Sequence, residues 1–158
     1  MNVKTTFLHG DLEECINMVQ LIGYINQAHP KHACLLKKSL YGLKQSPRQW
    51  YKKFDSFVLG IGFERSKYDN CFYFILFDIH VYLLLYVDDI LIISKSKEKI
   101  SELKAMLNTN FDTKDLGSAR KILGMIIERD RSKSSLKIQQ HDYLIKAVQR
   151  LVCIIVNL

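Results

Sequence analysis

The chain has 158 residues, 48% of them hydrophobic, and a formal net charge of +7 at neutral pH. That is room for one domain with its own core, in a globular rather than disordered composition. Apolar runs such as Val81–Val87 and Leu151–Val156 fall well short of the roughly 20 residues a membrane helix needs, and the opening "MNVKTTFLHGDLEE" turns acidic where a secretory leader would be apolar. No membrane is expected among the partners.

In chain order, residues 1–8 alternate in a way that allows a strand. Residues 21–33, with Gly23 and Pro30, read as a loop, and "ACLLK" reads as a short strand. "SPRQWYKKFDSFVLGIGF" reads as a helix. Ser46 is the expected N-cap, Pro47 suits the first turn, and Gly60 or Gly62 can end it. Trp50, Phe54, Phe57, Val58 and Ile61 form its apolar stripe, with Arg48, Lys52 and Lys53 largely on the other side. "CFYFILF" and "VYLLLYV" are two strands around the turn "DIH", and "ILIIS" is a third. "KSKEKISELKAMLNTNF" is an amphipathic helix with Ile100, Leu103, Met106, Leu107 and Phe111 inward. "KILGMIIERD" and "SLKIQQ" are expected as a hairpin joined through "RSKSS", and "HDYLIKAVQRLV" as a last helix. Strands and helices mix without strict alternation, so the expected class is α+β: an antiparallel sheet with helices packed on one face.

The positive charge is concentrated. Between Lys37 and Lys67, eight basic residues (Lys37, Lys38, Lys44, Arg48, Lys52, Lys53, Arg65, Lys67) face two acidic ones (Asp55, Glu64), a local +6. Such a segment is either a solvated helix face or a surface for a polyanion. The four cysteines, Cys15, Cys34, Cys71 and Cys153, are scattered with no CxxC pair. They read as reduced, buried thiols in an intracellular protein.

The most informative stretch is "VYLLLYVDDILIIS". Asp88 and Asp89 interrupt a sheet-forming run that resumes at once with Ile90. They are therefore expected at a tight turn between two antiparallel strands. Two adjacent carboxylates in an apolar surround repel one another and resist ionisation, and a divalent cation with hard oxygen ligands relieves both penalties. A bare Asp-Asp pair is equally read as two solvated turn residues; the apolar flanks and Tyr86 favour the metal. A receiver-type acidic pocket would instead need a separate acceptor aspartate ending a later parallel strand, and "ILIIS" follows too closely for that.

"YVDD" with these flanks resembles the metal-binding motif of reverse transcriptases. The rest of the chain resembles the Pol polyprotein of copia-type LTR retrotransposons. "MNVKTTFLHGDLEE" is similar to the first palm motif of that family, and "LKKSLYGLKQSPRQWYKKFDSF" to its template- and nucleotide-contacting motif. "LLLYVDDILI" is similar to its catalytic hairpin, "DLGSARKILGMIIERD" to the approach to the primer grip, and "KIQQHDYL" to the strand beyond. The resemblance covers residues 1–147 as a partial polymerase palm and leaves 148–158 as a divergent tail.

The resemblance implies two-metal nucleotidyl transfer with magnesium or manganese, an RNA template, a DNA primer and deoxynucleoside triphosphates. It makes Asp88 and Asp89 the paired metal-binding and catalytic aspartates. Phe7 falls at the steric gate beneath the sugar, although it also reads as a core phenylalanine on a strand. Tyr41, Gly42, Leu43, Lys44 and Gln45, with Arg48 beyond, fall where the family meets nucleotide and template; Gly42 also reads as a plain turn glycine. Leu123, Gly124 and Met125 fall at the primer grip, or form an ordinary hairpin. Lys114 falls where such polymerases often keep a general-acid lysine. For an intact element the resemblance implies a cytoplasmic, virus-like-particle setting.

Three departures stand out. Asn2 occupies the position where the family carries a metal-bridging aspartate. The chain opens inside the first palm motif, so fingers sequence is expected to be missing. Thumb, connection and RNase H regions are expected to be missing beyond the tail, as in a reading frame of a decayed element. The expected product is a polymerase fragment with little or no activity, or a non-catalytic remnant that binds nucleic acid through Lys37–Lys67. His29, His32 and Cys34 have poor spacing for a metal site. No dinucleotide or P-loop glycine motif occurs.

Overall fold

The computed structural model of the protein describes residues 1–76 and 78–156, with 152–156 described by backbone alone. The chain divides into two compact units, Met1–Asp115 and Leu116–Leu158. The expected boundary at Ala147 falls inside the last helix.

The first unit is built on a six-stranded antiparallel sheet. In chain order its strands are β1 (Asn2–Val3), β4 (Glu64–Arg65), β5 (Phe72–Ile75), β6 (Val81–Tyr86), β7 (Asp89–Ser94) and β8 (Thr113–Lys114); the spatial order is β4-β5-β6-β7-β1-β8. A separate hairpin, β2 (Asn17–Val19) with β3 (Ala33–Leu35), carries the loop at 20–32. Two helices, α1 (Ser46–Gly60) and α2 (Lys97–Asn110), complete the unit.

The strand pattern explains the layer. Along β6, Val81, Leu83 and Leu85 are buried, while Tyr82 and Leu84 are half-buried and Tyr86 is exposed. This period-two alternation puts one face inward. That face meets Trp50, Phe54 and Val58 of α1 and Leu103 and Leu107 of α2, with Tyr73, Ile90, Val3 and Phe111. Each such large side chain contributes about 1.5–3 kcal/mol by leaving water. Phe111 is the hub, its ring 5.3 Å from that of Trp50 and 5.2 Å from that of Phe57. The expected α+β class, with helices on one face of an antiparallel sheet, is what the chain adopts. Met106 differs from expectation: it is 45% exposed, because Leu103 and Leu107 already fill the space beneath α2.

Helix ends show why the chain turns where it does. Ser46 does not cap α1. Its hydroxyl donates to the Leu40 carbonyl at 2.6 Å, and Gln45 stands at the cap without a side-chain bond. At the other end Gly62 has φ +94°, its N–H donates to Leu59 O, and the Phe63 N–H donates to Val58 O. This is a Schellman closure, with Phe63 buried as its hydrophobic contact. Ser96 caps α2 by accepting from the Lys99 N–H at 3.1 Å.

The alternating start is not a long strand. β1 stops at Val3 because Thr5 adopts a left-handed conformation, φ 47°, and a 3-10 turn follows over Thr6–His9. Phe7 therefore lies on that turn rather than on a strand.

The second unit has a three-stranded sheet, β9 (Lys121–Ile122), β10 (Met125–Asp130) and β11 (Ser135–Gln139), and the helix α3 (His141–Val156). The hairpin through residues 131–134 is as expected. "KILGMIIERD" is not one strand, however. Leu123 and Gly124 both take positive φ, 51° and 77°, and make a two-residue turn between β9 and β10. On α3, Tyr143, Leu144, Val148 and Leu151 are exposed. The tail side chains Val152, Ile154, Ile155 and Val156 lie outside the described residues, as does that of Cys153. Cys15, Cys34 and Cys71 are free thiols; Cys15 and Cys34 are exposed rather than buried, since they lie in or beside the β2–β3 hairpin, whose β3 strand is exposed throughout. Among the described residues no helix is long and apolar enough to cross a membrane.

Candidate active site

The two aspartates sit at the tip of the β6–β7 hairpin. Tyr86 pairs with Asp89 as the last register pair, so Val87 and Asp88 form a two-residue turn. φ is positive at Val87 (53°) and not at Asp88. That is the pattern of a type II′ turn, whose first central position favours glycine. A β-branched residue there is strained, and such strain persists only where the surroundings over-determine it. Here they do. The Trp50 indole donates to the Val87 carbonyl at 2.7 Å, and the Val3 N–H donates to the Asp88 carbonyl at 2.7 Å. A core helix and the neighbouring strand thus both grip the turn.

Asn2 is held in the sheet rather than frayed. β1 runs between β7 and β8, with Asn2 opposite Asp89 on one side and Lys114 on the other. Paired residues project to the same face, so Asn2, Asp89 and Lys114 share one face of the sheet. The Asn2 side-chain nitrogen donates to Asp88 Oδ2 at 2.7 Å and to Asp89 Oδ1 at 3.2 Å. The opposite amide orientation would set an oxygen against two carboxylate oxygens.

This donor set does not fit a pair of dications. It offers two carboxylates and an amide whose N–H groups, not its oxygen, face them. Among the described residues no group of three or more His, Cys, Asp or Glu side chains is placed to hold a metal ion. Magnesium prefers near-octahedral oxygen ligands. The arrangement is instead an internally satisfied carboxylate pair.

Of the other residues singled out, Phe7 and Tyr41 come together, ring centroids 4.9 Å apart, with Tyr41 60% exposed. Gly42 has φ +93°, a conformation that favours glycine. Leu43 is half-buried, Lys44 is exposed, and Gln45 donates to Glu14 at 3.4 Å. Arg48 lies exposed in the first turn of α1. Leu123, Gly124 and Met125 belong to the second unit, at its β9–β10 turn.

Sequence reasoning missed the role of Trp50 as a clamp on the turn; it read the residue only as part of a core stripe. It also missed Asp55, which is largely buried and accepts from Tyr73 at 3.0 Å and from Arg65 at 3.1 Å, tying α1 to β4 and β5. Burial, and then hydrogen bonding with Tyr51 and Asp55, pushes the Tyr73 hydroxyl well above its ordinary pKa.

Comparison with known proteins bears on the same residues. A family model described as reverse transcriptase (RNA-dependent DNA polymerase) matches residues 1–154. The chain belongs to the reverse transcriptase family. It is 50% identical over 153 residues to the Retrovirus-related Pol polyprotein from transposon TNT 1-94 of Nicotiana tabacum, covering 95% of this chain and 11% of that protein. It is 34% identical over 151 residues to the Pol polyprotein from transposon RE1 of Arabidopsis thaliana, covering 95% of this chain and 10% of that protein. A putative transposon Ty5-1 protein of Saccharomyces cerevisiae is 32% identical over 148 residues, 93% of this chain and 48% of that protein. The chain thus spans about a tenth of the plant polyproteins. No solved structure matches it. The resemblance to retrotransposon Pol read from the motifs is borne out, and the reverse transcriptase match extends past Ala147, where the resemblance in the motifs stops.

Proposed function

We propose that this chain is the palm portion of a retrotransposon reverse transcriptase that keeps its nucleic-acid-facing scaffold and has lost metal-dependent nucleotidyl transfer. One observation carries the reading. β1 brings Asn2 to the paired aspartates, and the side chain that arrives there is a neutral donor, bonded to both. In the family the resemblance implies a third carboxylate at this point, and magnesium or manganese would supply charge neutralisation for the primer hydroxyl and the leaving pyrophosphate. With Asn2 the site lacks the negative charge that two dications and a triphosphate require.

The remaining assignments follow from the same resemblance. Asp88 and Asp89 are the residual metal-binding pair. Phe7 and Tyr41, in ring contact, with Gly42, Leu43, Lys44, Gln45 and Arg48, form the side that meets the deoxynucleoside triphosphate and template. Lys114 takes the general-acid role, a reading supported by its register position opposite Asn2. Leu123, Gly124 and Met125 form the primer-grip turn. The partners are an RNA template, a DNA primer and the rest of Pol, in an intracellular setting.

The test is primer extension on a primed RNA template, with this segment placed in a complete Pol scaffold from a relative. The segment as it stands is expected to give no extension. N2D is expected to restore it, and D88N added to N2D to abolish it again. Extension by the Asn2 form at the rate of N2D would overturn the silencing. No extension by N2D in a scaffold that is otherwise active would overturn the palm assignment.

A further inference from the structure

From Cys15 to Phe54 the chain contains no Asp or Glu, while Lys31, Lys37, Lys38, Lys44, Arg48, Lys52 and Lys53 fall in the same stretch. The fold does not leave these cations bare. The segment after Gly10 crosses the first half of α1 and lays its carboxylates on three of them. Asp11 bridges two lysines, accepting from Lys38 through Oδ1 and from Lys53 through Oδ2 at 2.9 Å. Glu13 accepts from Lys52 at 2.6 Å, with Gln49 and Arg48 beside it.

Gly10 makes the crossing possible. A Cβ there would meet Gln49 Cβ at 2.9 Å and the Trp50 backbone nitrogen at 3.1 Å. The Ser39 N–H fixes the crossing by donating to the Gly10 carbonyl at 2.9 Å. A single carboxylate held between two ammonium groups is the arrangement a bridging phosphate would take.

We propose that Lys38, Lys52 and Lys53 form a binding site for the backbone phosphates of nucleic acid, and that Asp11 and Glu13 occupy it as phosphate mimics until the polyanion displaces them. This rests on the nucleic-acid-binding reading above and adds to it a specific site and a built-in competitor. The competitor is easily displaced, since all five side chains are more than a third exposed and ion pairs of that kind contribute about 0–1 kcal/mol each. It is nonetheless in place at neutral pH. Hydrogen bonding to Lys38 holds the Asp11 carboxyl below its ordinary 3.8, and hydrogen bonding to Lys52 holds Glu13 below its ordinary 4.5. Both pairings are therefore complete above those ordinary values and lost only as pH falls through the lowered ones. Lys37, Lys44 and Lys67 make no ion pair among the described residues and add to the attraction of the protein as it stands for a polyanion.

The test is fluorescence anisotropy of a labelled RNA–DNA hybrid, titrated with the full chain across a range of salt. Compared with the unaltered protein, D11N/E13Q is expected to bind on the order of tenfold more tightly at low salt. Its plot of log affinity against log salt should steepen by about 2, from the lysines released to phosphates. E98Q/E102Q, the same charge change on α2, is expected to do neither. Adding K38Q/K52Q/K53Q to D11N/E13Q should erase the gain, and K38Q/K52Q/K53Q alone should weaken binding, since the polyanion then has no cations to take from the carboxylates. E13Q alone, which frees only Lys52, should give part of the effect and serves if the double variant folds poorly. An unchanged slope in D11N/E13Q, or an equal gain in E98Q/E102Q, would overturn the mimicry while leaving nucleic-acid binding intact. Absence of binding by every version at low salt would overturn both.

Discussion

Asn2 donates through Nδ2 to Asp88 Oδ2 at 2.7 Å, and the same nitrogen reaches Asp89 Oδ1 at 3.2 Å. The pair of carboxylates is thus satisfied by the chain itself. In N2D the donor becomes a third carboxylate, so a hydrogen bond to charged groups is lost and like charges are set together. In the presence of a chelator N2D is expected to be less stable than the unaltered chain by about 1–3 kcal/mol in urea denaturation. Manganese should return most of that loss. An unchanged urea midpoint in chelator would show that the amide contributes nothing to holding the aspartates.

Trp50 is nearly inaccessible, and its indole N–H ends on the Val87 carbonyl. W50F keeps a ring in the core but removes that bond and some volume. It is expected to cost about 1–3 kcal/mol. The loss should be felt first at the strained turn. Amide exchange at Val3 and Ile90, whose N–H groups bond to Asp88 O and Met1 O, should accelerate more than at Phe111. Uniform acceleration throughout the unit would mean that the indole packs the core without fixing the turn.

Asp55 accepts from Tyr73 and Arg65 while Tyr73 is fully buried. D55A leaves the Tyr73 hydroxyl without its acceptor and is expected to cost about 1–3 kcal/mol. Y73F should cost less in the D55A background than on its own, because the stranded hydroxyl is then removed. Strict additivity of the two in a double-mutant cycle would show that they are not coupled.

Leu123 holds φ 51° at the first position of a two-residue turn, with Gly124 at 77°. That pair of positive angles describes a type I′ turn, which favours Asn-Gly. Leu123 is also 47% exposed, so its side chain contributes little packing. L123N is expected to stabilise the second unit by about 0.5–1 kcal/mol, read from its thermal midpoint. A lower midpoint would place the Leu123 side chain in a contact that matters more than its backbone angle.

Much of the site was legible because its signals are local. Two acidic residues inside an otherwise apolar alternation can only be accommodated at a turn, and the β6–β7 hairpin has them there. The α1 stripe from Trp50 to Val58 was legible for the same reason, being periodic over several turns. What escaped the sequence was long-range or very short. β4 and β8 are two residues each, too brief to show a period, and they exist because neighbouring strands pair with them. The left-handed Thr5, which ends β1 and moves Phe7 onto a 3-10 turn, has no composition signal, since threonine does not favour that region. The bonds from Asp11 and Glu13 to Lys38, Lys52 and Lys53 join residues 27 to 42 positions apart. Read along the chain, Lys37–Lys67 carries +6; in the fold, half of its eight cations already have carboxylate partners.

The most direct test of the altered site is titration of the chain and of N2D with manganese, followed by calorimetry or by paramagnetic broadening of Asp88 and Asp89 resonances. With the Asn2 amide bonded to both aspartates and one charge fewer, the unaltered chain is expected to bind weakly and at most one ion. N2D should bind at least about tenfold more tightly, an advantage of about 1.4 kcal/mol, and D88N should remove the gain. Equal affinity of the two versions, with the same broadening at both aspartates, would contradict the assignment of Asn2 as the residue that disables this centre.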